Sequence, residues 1–196
     1  MAWTFFHELR KKSLHVAILL IIILYSILEK SVSKQMALFV LVFILLFLLI
    51  TEFIRLELNI EVPIIKQLIR AKEERKMHGA IYFLTATIIC LAVFNFRIAL
   101  AALLMTIFGD MFAALMGQRY GKTLVFRNKT LSGCFVELVI NLIIGFMVLM
   151  SYTNIYIILA MAFTATIVET FISELDDNLF VPLFAGFVGQ LLFFLI

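Results

Sequence analysis

The sequence predicts an all-α integral membrane protein, a polytopic helical bundle of about seven transmembrane helices with a cytosolic N-terminus. Three observations predict it: an apolar composition, regularly recurring apolar runs and a one-sided distribution of cations. Of the 196 residues, 64% are hydrophobic and 15% are charged, whereas soluble domains have about a quarter charged residues. A single soluble core cannot bury this excess, and the mean hydropathy of +1.14 indicates that lipid is the solvent.

Seven apolar runs set the helix count, since a helix crosses the hydrocarbon with about 20 residues and at least about 17. The fourth run is short but reaches this length when it continues through "MFAALMG", and the polar "SYTN" at 151–154 separates the fifth run from the sixth as a hairpin. The runs are Leu14–Leu28, Met36–Ile54, Gly79–Phe96, Ile98–Phe108, Cys134–Met150, Ile155–Ile172 and Leu179–Ile196.

The N-terminal segment "MAWTFFHELRKKSLH" carries cations before an apolar run, as a signal peptide does. No small-residue cleavage site follows, and six further runs come after it, so we interpret the first run as a retained helix. With the N-terminus inside, 13 of the 16 lysines and arginines lie on the cytosolic side, and only Lys30, Lys34 and Arg97 lie outside. The positive-inside rule therefore predicts cytosolic positions for all the long polar loops.

Residues 59–78 interrupt this pattern without forming a span. Ile60, Ile64 and Leu68 share one helical face, while Lys66 and Arg70 lie on another. This arrangement is typical of an amphipathic helix at the inner interface, and a solvated loop with a helical turn is the alternative. We assign residues 1–196 to a single domain.

The composition also argues against several functional classes. Cys90 and Cys134 fit neither a metal-binding spacing nor a disulfide framework. The three histidines are scattered, which argues against a zinc site. No stretch combines dense cations with exposed aromatic rings, so we do not expect nucleic-acid binding.

Four polar clusters reach the same predicted side of the membrane. They are "ELRKKSLH" (8–15), "GDMFAALMGQRYGKT" (109–123), "RNKTLSG" (127–133) and "ELDDN" (174–178). Because charges near membrane depth are costly, their gathering on one face indicates a shared site. At the N-terminus, Arg10 and His15 either reach this site from the interface or serve only as a topology anchor.

The second cluster combines a stripe of small residues with an acid. Gly109, Ala113, Gly117 and Gly121 recur every four residues, a spacing that allows another backbone to approach closely. Asp110, at the end of an apolar run, is costly unless a cation or a metal compensates it.

The cationic residues of the second and third clusters are suited to phosphate. Lysine charges, backbone amides near glycine and a hydroxyl group are what a polyphosphate requires. The residues that carry these groups are Arg119, Lys122, Lys129, Thr130 and Gly133.

The fourth cluster and two helical acids complete the candidate site. Asp177 and Asn178 offer the oxygen ligands that magnesium prefers, although a solvated acidic loop is the alternative. Glu137 and Glu169 lie within apolar runs, where ionisable residues serve either helix packing or a functional site. For Asn141, four residues after Glu137, we expect hydrogen bonding between helices.

In order along the chain, the motifs E-x-R-K-x-x-x-H, G-D-x-x-A-x-x-x-G-x-x-x-G, K-T-x-x-G and D-D-N-x-x-x-P-L resemble those of the CTP-dependent polyprenol kinases, which include dolichol kinase and phytol kinase. They stand here at Glu8–His15, Gly109–Gly121, Lys129–Gly133 and Asp176–Leu183. One position departs from the family pattern: Ser132 stands where the family often has glutamate before the glycine.

This resemblance implies a multi-pass membrane enzyme that transfers the γ-phosphate of CTP to an isoprenoid alcohol, with Mg²⁺ or another divalent cation. It implies that Asp110, Asp177 and Asn178 hold the metal and that Lys122, Lys129 and Thr130 hold the triphosphate. Arg119, Gly133, Arg10 and His15 are further candidates for binding the nucleotide. Asp110 or Glu169 is the candidate general base. The expected location is the plasma membrane of a prokaryote or an endomembrane, with the site facing the cytosol.

Three alternatives stay open at this point. A membrane cytidylyltransferase would also use CTP at an acid-rich inner loop, and a CTP-dependent diacylglycerol kinase would differ only in its acceptor. A transporter or structural subunit is less favoured, because transporters place polar residues near the midplane and often contain repeats.

Overall fold

The computed structural model describes residues 2–57, 77–127, 129–172 and 176–196, with side chains from residue 15 onward. These residues form seven helices in the order of the predicted apolar runs, which confirms the all-α class. The helices are α1 (Ala2–Ser31), α2 (Lys34–Glu57), α3 (Gly79–Val93), α4 (Phe96–Tyr120), α5 (Leu131–Leu149), α6 (Ile155–Phe171) and α7 (Asp177–Leu195). The sequence did not predict the short antiparallel ribbon of β1 (Leu124–Phe126) and β2 (Lys129–Thr130) that joins α4 to α5.

The described helices identify a membrane protein. Four of them, α2, α4, α5 and α7, are long and apolar enough to cross a bilayer, and α3 and α6 are shorter apolar helices. On α2, Phe39, Phe43 and Phe47 project outward at a spacing of four residues and are largely exposed, as expected for a face in contact with lipid. Seven crossings and a cytosolic N-terminus stay predictions.

The chain divides into two compact units, residues 1–88 and 89–196. In the first unit α1 packs against α2 and buries Ile18, Ile22 and Tyr25, which share one helical face. The predicted interfacial helix over 59–78 falls almost entirely on residues 58–76, which lie outside the described residues. The assignment of 1–196 to a single domain stays a prediction.

The second unit is a bundle in which α4 packs against α5, α6 and α7. Most of α4 between Ile98 and Ala113 is buried, so this helix forms the centre of the unit. The predicted break at 151–154 is confirmed, because α5 ends at Leu149 and the Asn154 side chain caps the start of α6 by accepting a hydrogen bond from the Tyr156 amide.

The predicted stripe of small residues allows α4 and α5 to approach closely. A Cβ atom added to Gly133 would lie 3.0 Å from the carbonyl oxygen of Ala113, and one added to Gly117 would lie 2.9 Å from Thr130 Oγ1 and 3.9 Å from the Cα of Gly133. Small residues at these positions let the two backbones meet. This contact brings the first turn of α5 alongside α4 near Asp110.

Candidate functional site

Three carboxylates from three helices meet in the C-terminal unit. Asp110 lies in the buried part of α4, Glu169 lies in the last turn of α6, and Asp177 is the first residue of α7. One oxygen from each carboxylate lies within 4.8 Å of the other two. The structure thus brings Asp110 and Asp177 together, as expected from the sequence, and it adds Glu169 to them.

Lys129 extends from β2 into this cluster and forms an ion pair between its Nζ and Glu169 Oε1. Burial disfavours the ammonium charge, but Glu169, with smaller contributions from Asp110 and Asp177, outweighs that effect and raises the pKa of Lys129 above its ordinary value. Lys129 therefore stays protonated at neutral pH and partly compensates the acids.

Thr130 and Gly133 shape the start of α5 beside Lys129. The Thr130 hydroxyl accepts a hydrogen bond from the Gly133 amide at 3.2 Å and so caps the helix. Its oxygen also lies 3.4 Å from Ser132 Oγ. The helix cap holds the β2 backbone, and with it the root of the Lys129 side chain, at the N-terminus of α5.

Glu137 and Asn141 lie next to the cluster on the face of α5 that packs against α4. A Cβ atom on Gly109 would lie 3.3 Å from Glu137 Cγ and 2.6 Å from Asn141 Oδ1. Glu137 is buried and close enough to Asp110, Glu169 and Lys129 to interact electrostatically with them. Glu137 is thus a fourth acid at the site, one helical turn after Gly133 on the same face of α5.

The start of α7 fixes Asp177 through its neighbours. Asp176 Oδ1 accepts hydrogen bonds from the Asn178 backbone amide at 3.1 Å and from Asn178 Nδ2 at 2.8 Å, which caps the helix. Asp177 Oδ1 also accepts a hydrogen bond from the Asn178 amide at 2.9 Å. The side-chain amide nitrogen of Asn178 therefore donates its hydrogen bond to Asp176. The metal-supporting role expected of Asn178 stays a prediction.

Two of the predicted phosphate-binding cations lie outside the cluster. Arg119 and Lys122 are exposed, and neither forms an ion pair with a carboxylate of the described residues. The Arg119 guanidinium lies over the ring of Tyr120, 5.5 Å from its centroid. Lys122 lines an open groove of about 450 Å³ together with Ser132, Leu131 and Phe135.

The two N-terminal candidates belong to the other unit. The side chain of Arg10 lies outside the described residues. His15 is buried in α1, and its ring meets Phe83 of α3 edge-on, with 6.2 Å between the ring centroids. Their expected contact with phosphate stays a prediction.

No family model, curated protein or solved structure matches this chain. The resemblance to polyprenol kinases therefore stays a prediction from the four sequence motifs, three of which supply residues of the cluster or its immediate neighbours.

The charge of the cluster determines what it can do chemically. Asp110, Glu137 and Glu169 interact electrostatically with one another and with Lys129, and Asp177 joins them through its carboxylate. Carboxylates this close together repel one another unless protons or cations compensate them. Oxygen ligands from three helices are suited to Mg²⁺, which keeps several waters and shares phosphate oxygens. A divalent cation with a phosphate ligand fits this donor chemistry, and its binding stays a prediction.

Proposed function

We propose that this protein is a CTP-dependent lipid kinase that phosphorylates the hydroxyl group of a polyprenol-type isoprenoid alcohol. The observation that carries the proposal is the meeting of Asp110, Glu169 and Asp177 within 4.8 Å in a membrane protein. Phosphoryl transfer requires in-line positioning and neutralisation of phosphate oxygens more than covalent chemistry by the protein. The choice of CTP and of an isoprenoid acceptor follows from the motif resemblance.

The divalent cation would be held by Asp110, Asp177 and Glu169, and when bound it supplies positive charge to the phosphate oxygens. Lys129, which enters the cluster from the N-terminus of α5, would contact the triphosphate from one side, and Lys122 would reach it from the exposed groove. Helices α5 and α7 both begin near the cluster. The partial positive charges at their N-termini favour a bound phosphate.

In the proposed reaction the acceptor hydroxyl oxygen bonds to the γ-phosphorus as the bond to the oxygen that bridges the β- and γ-phosphates breaks. The hydroxyl proton passes to a carboxylate, for which Asp110 and Glu169 are the candidates, and the products are a lipid monophosphate and CDP. The acceptor's apolar tail stays in the hydrocarbon while its hydroxyl reaches the interface. This division explains why such a site belongs on a membrane protein, and the positive-inside prediction assigns it to the cytosolic face.

The test incubates purified protein with Mg²⁺, a panel of lipid alcohols and either labelled CTP or labelled ATP. A kinase transfers only the γ label of CTP to the lipid, whereas a cytidylyltransferase transfers the α label to a lipid phosphate. A panel that includes diacylglycerol and polyprenols identifies the acceptor. Absence of γ-label transfer to every alcohol, from folded protein, would refute the proposal.

Asp110→Asn provides the matching mutational test. We expect it to lower turnover at least about 100-fold, because it removes a charged ligand of the cation and a candidate base. Asp176→Asn is the matched control: it makes the same chemical change, and asparagine also caps helices, so activity should stay near that of the wild type. Wild-type turnover by Asp110→Asn would remove Asp110 from the mechanism.

A further inference from the structure

Lys129 contacts a carboxylate that a divalent cation bound at the cluster would also use. Lys129 Nζ contacts Glu169 Oε1, and Glu169 is one of the three acids whose oxygens lie within 4.8 Å of one another. The charges of Asp110 and Asp177 also act on Lys129. The ammonium group therefore contacts one of the three carboxylates that a metal ion at this cluster would share.

We propose that Lys129 is an internal cation that the divalent ion displaces from Glu169, so that metal binding releases Lys129 to the phosphate groups of the nucleotide. This inference rests on the cation site of the proposed function and specifies how its two ligands are coupled. Binding of metal would favour binding of triphosphate, and by linkage the triphosphate would favour the metal to the same extent. Without nucleotide, the ion would have to compete with the ammonium group of Lys129 for Glu169.

The two partners of this ion pair differ in their freedom to move. Glu169 lies in a packed helix and its side chain is 2% exposed, whereas the Lys129 side chain is 34% exposed. The root of Lys129 is fixed, because the Leu131 amide bonds to the Thr123 carbonyl at 2.9 Å and Thr130 caps α5. The flexible four-carbon stem of a lysine can swing its charge toward solvent from such a root. An exchange at Glu169 would therefore move Lys129 and leave the carboxylates in place.

The first experiment measures Mn²⁺ binding to the purified full-length protein without nucleotide, by electron paramagnetic resonance. Lys129→Met keeps the length of the side chain but removes its charge, and we expect it to bind Mn²⁺ at least tenfold more tightly than the wild type. Arg97→Met is the matched control. It removes one cation from the same helix as Asp110, thirteen residues away or about 20 Å along α4, and should leave Mn²⁺ affinity unchanged.

The second experiment uses the wild type and so does not depend on the folding of a variant. An amine-reactive acetylating reagent is applied with and without saturating Mg²⁺, and labelled lysines are quantified by mass spectrometry. We expect Mg²⁺ to raise labelling of Lys129 at least threefold relative to Lys122, the exposed lysine seven residues earlier.

Equal Mn²⁺ affinity in Lys129→Met and wild type would overturn the inference. So would tighter Mn²⁺ binding by Lys129→Met without a rise in Lys129 labelling of the wild type, because the ammonium group would then stay on Glu169 beside the metal. Absence of Mn²⁺ binding by both proteins would overturn the inference together with the proposed cation site. If both experiments succeed and no lipid is phosphorylated, the exchange stands and the kinase proposal fails.

Discussion

Replacing Gly109 by alanine tests the packing of α4 against α5 beside the carboxylate cluster. The new Cβ atom would lie 2.6 Å from Asn141 Oδ1, and ordinary van der Waals contact begins at 3.4 Å, so one of the two atoms must move by about 0.8 Å. Asn141 is fully buried and its Nδ2 donates a hydrogen bond to Thr166 Oγ1 at 3.1 Å. Its side chain therefore cannot move aside without breaking a link between α5 and α6.

The expected magnitude follows from two opposing effects. Overpacking of a tight interior costs about 1–3 kcal/mol, and alanine gains about 1 kcal/mol over glycine within a helix. We therefore expect Gly109→Ala to lower the free energy of unfolding by about 1 kcal/mol in the wild type. In an Asn141→Ala background the overlap with Oδ1 disappears, and the same substitution should stabilise the protein by up to about 1 kcal/mol.

The assay is a double-mutant cycle, with unfolding free energies measured in mixed micelles for the wild type, both single variants and the double variant. The cycle subtracts the direct cost of losing the Asn141 side chain and leaves a coupling of about 2 kcal/mol between the two positions. If the free-energy changes of the two single variants add to that of the double variant within about 0.5 kcal/mol, Asn141 does not restrict Gly109. The close approach of α4 and α5 would then be wrong at Gly109.

Two further predictions concern the Asp176 cap of α7 and the ion pair between Lys129 and Glu169. Asp176→Ala should lower the free energy of unfolding by about 1 kcal/mol because it removes the cap of α7, and Asp176→Asn should restore most of it; equal stability of all three proteins would contradict the capping role. Because the pKa of Lys129 is raised above its ordinary value, the ion pair with Glu169 should stabilise the fold fully below about pH 10.4 and fade only as the pH rises through the higher folded-state pKa. The difference in unfolding free energy between wild type and Lys129→Met should accordingly not decline from about pH 7 to pH 10, and a decline within that range would argue against the pair.

The helices could be predicted from the sequence because their signal is local. Apolar runs long enough to form helices, separated by short polar breaks, depend only on neighbouring residues, and each predicted run has its helix in the described structure. The stripe of Gly109, Ala113, Gly117 and Gly121 likewise indicated a close helix contact before its partner was known. The ribbon formed by β1 and β2 escaped prediction because strands of three and two residues are too short to show an alternating pattern.

The same distinction between local and tertiary information applies to the candidate site. The residue types were readable in the sequence: the cost of an acid in an apolar run marked Asp110 and Glu169, and the ligand preferences of phosphate and magnesium marked Lys129 and Asp177. Tertiary structure decided their grouping, since Glu169 joins the two aspartates and pairs with Lys129 across forty residues of chain. Spacing along one helix cannot report the distance between two helices, because that distance depends on which faces pack together. That packing brought Glu169 to the aspartates, while Lys122 and Arg119 lie exposed beyond the end of the bundle's buried core.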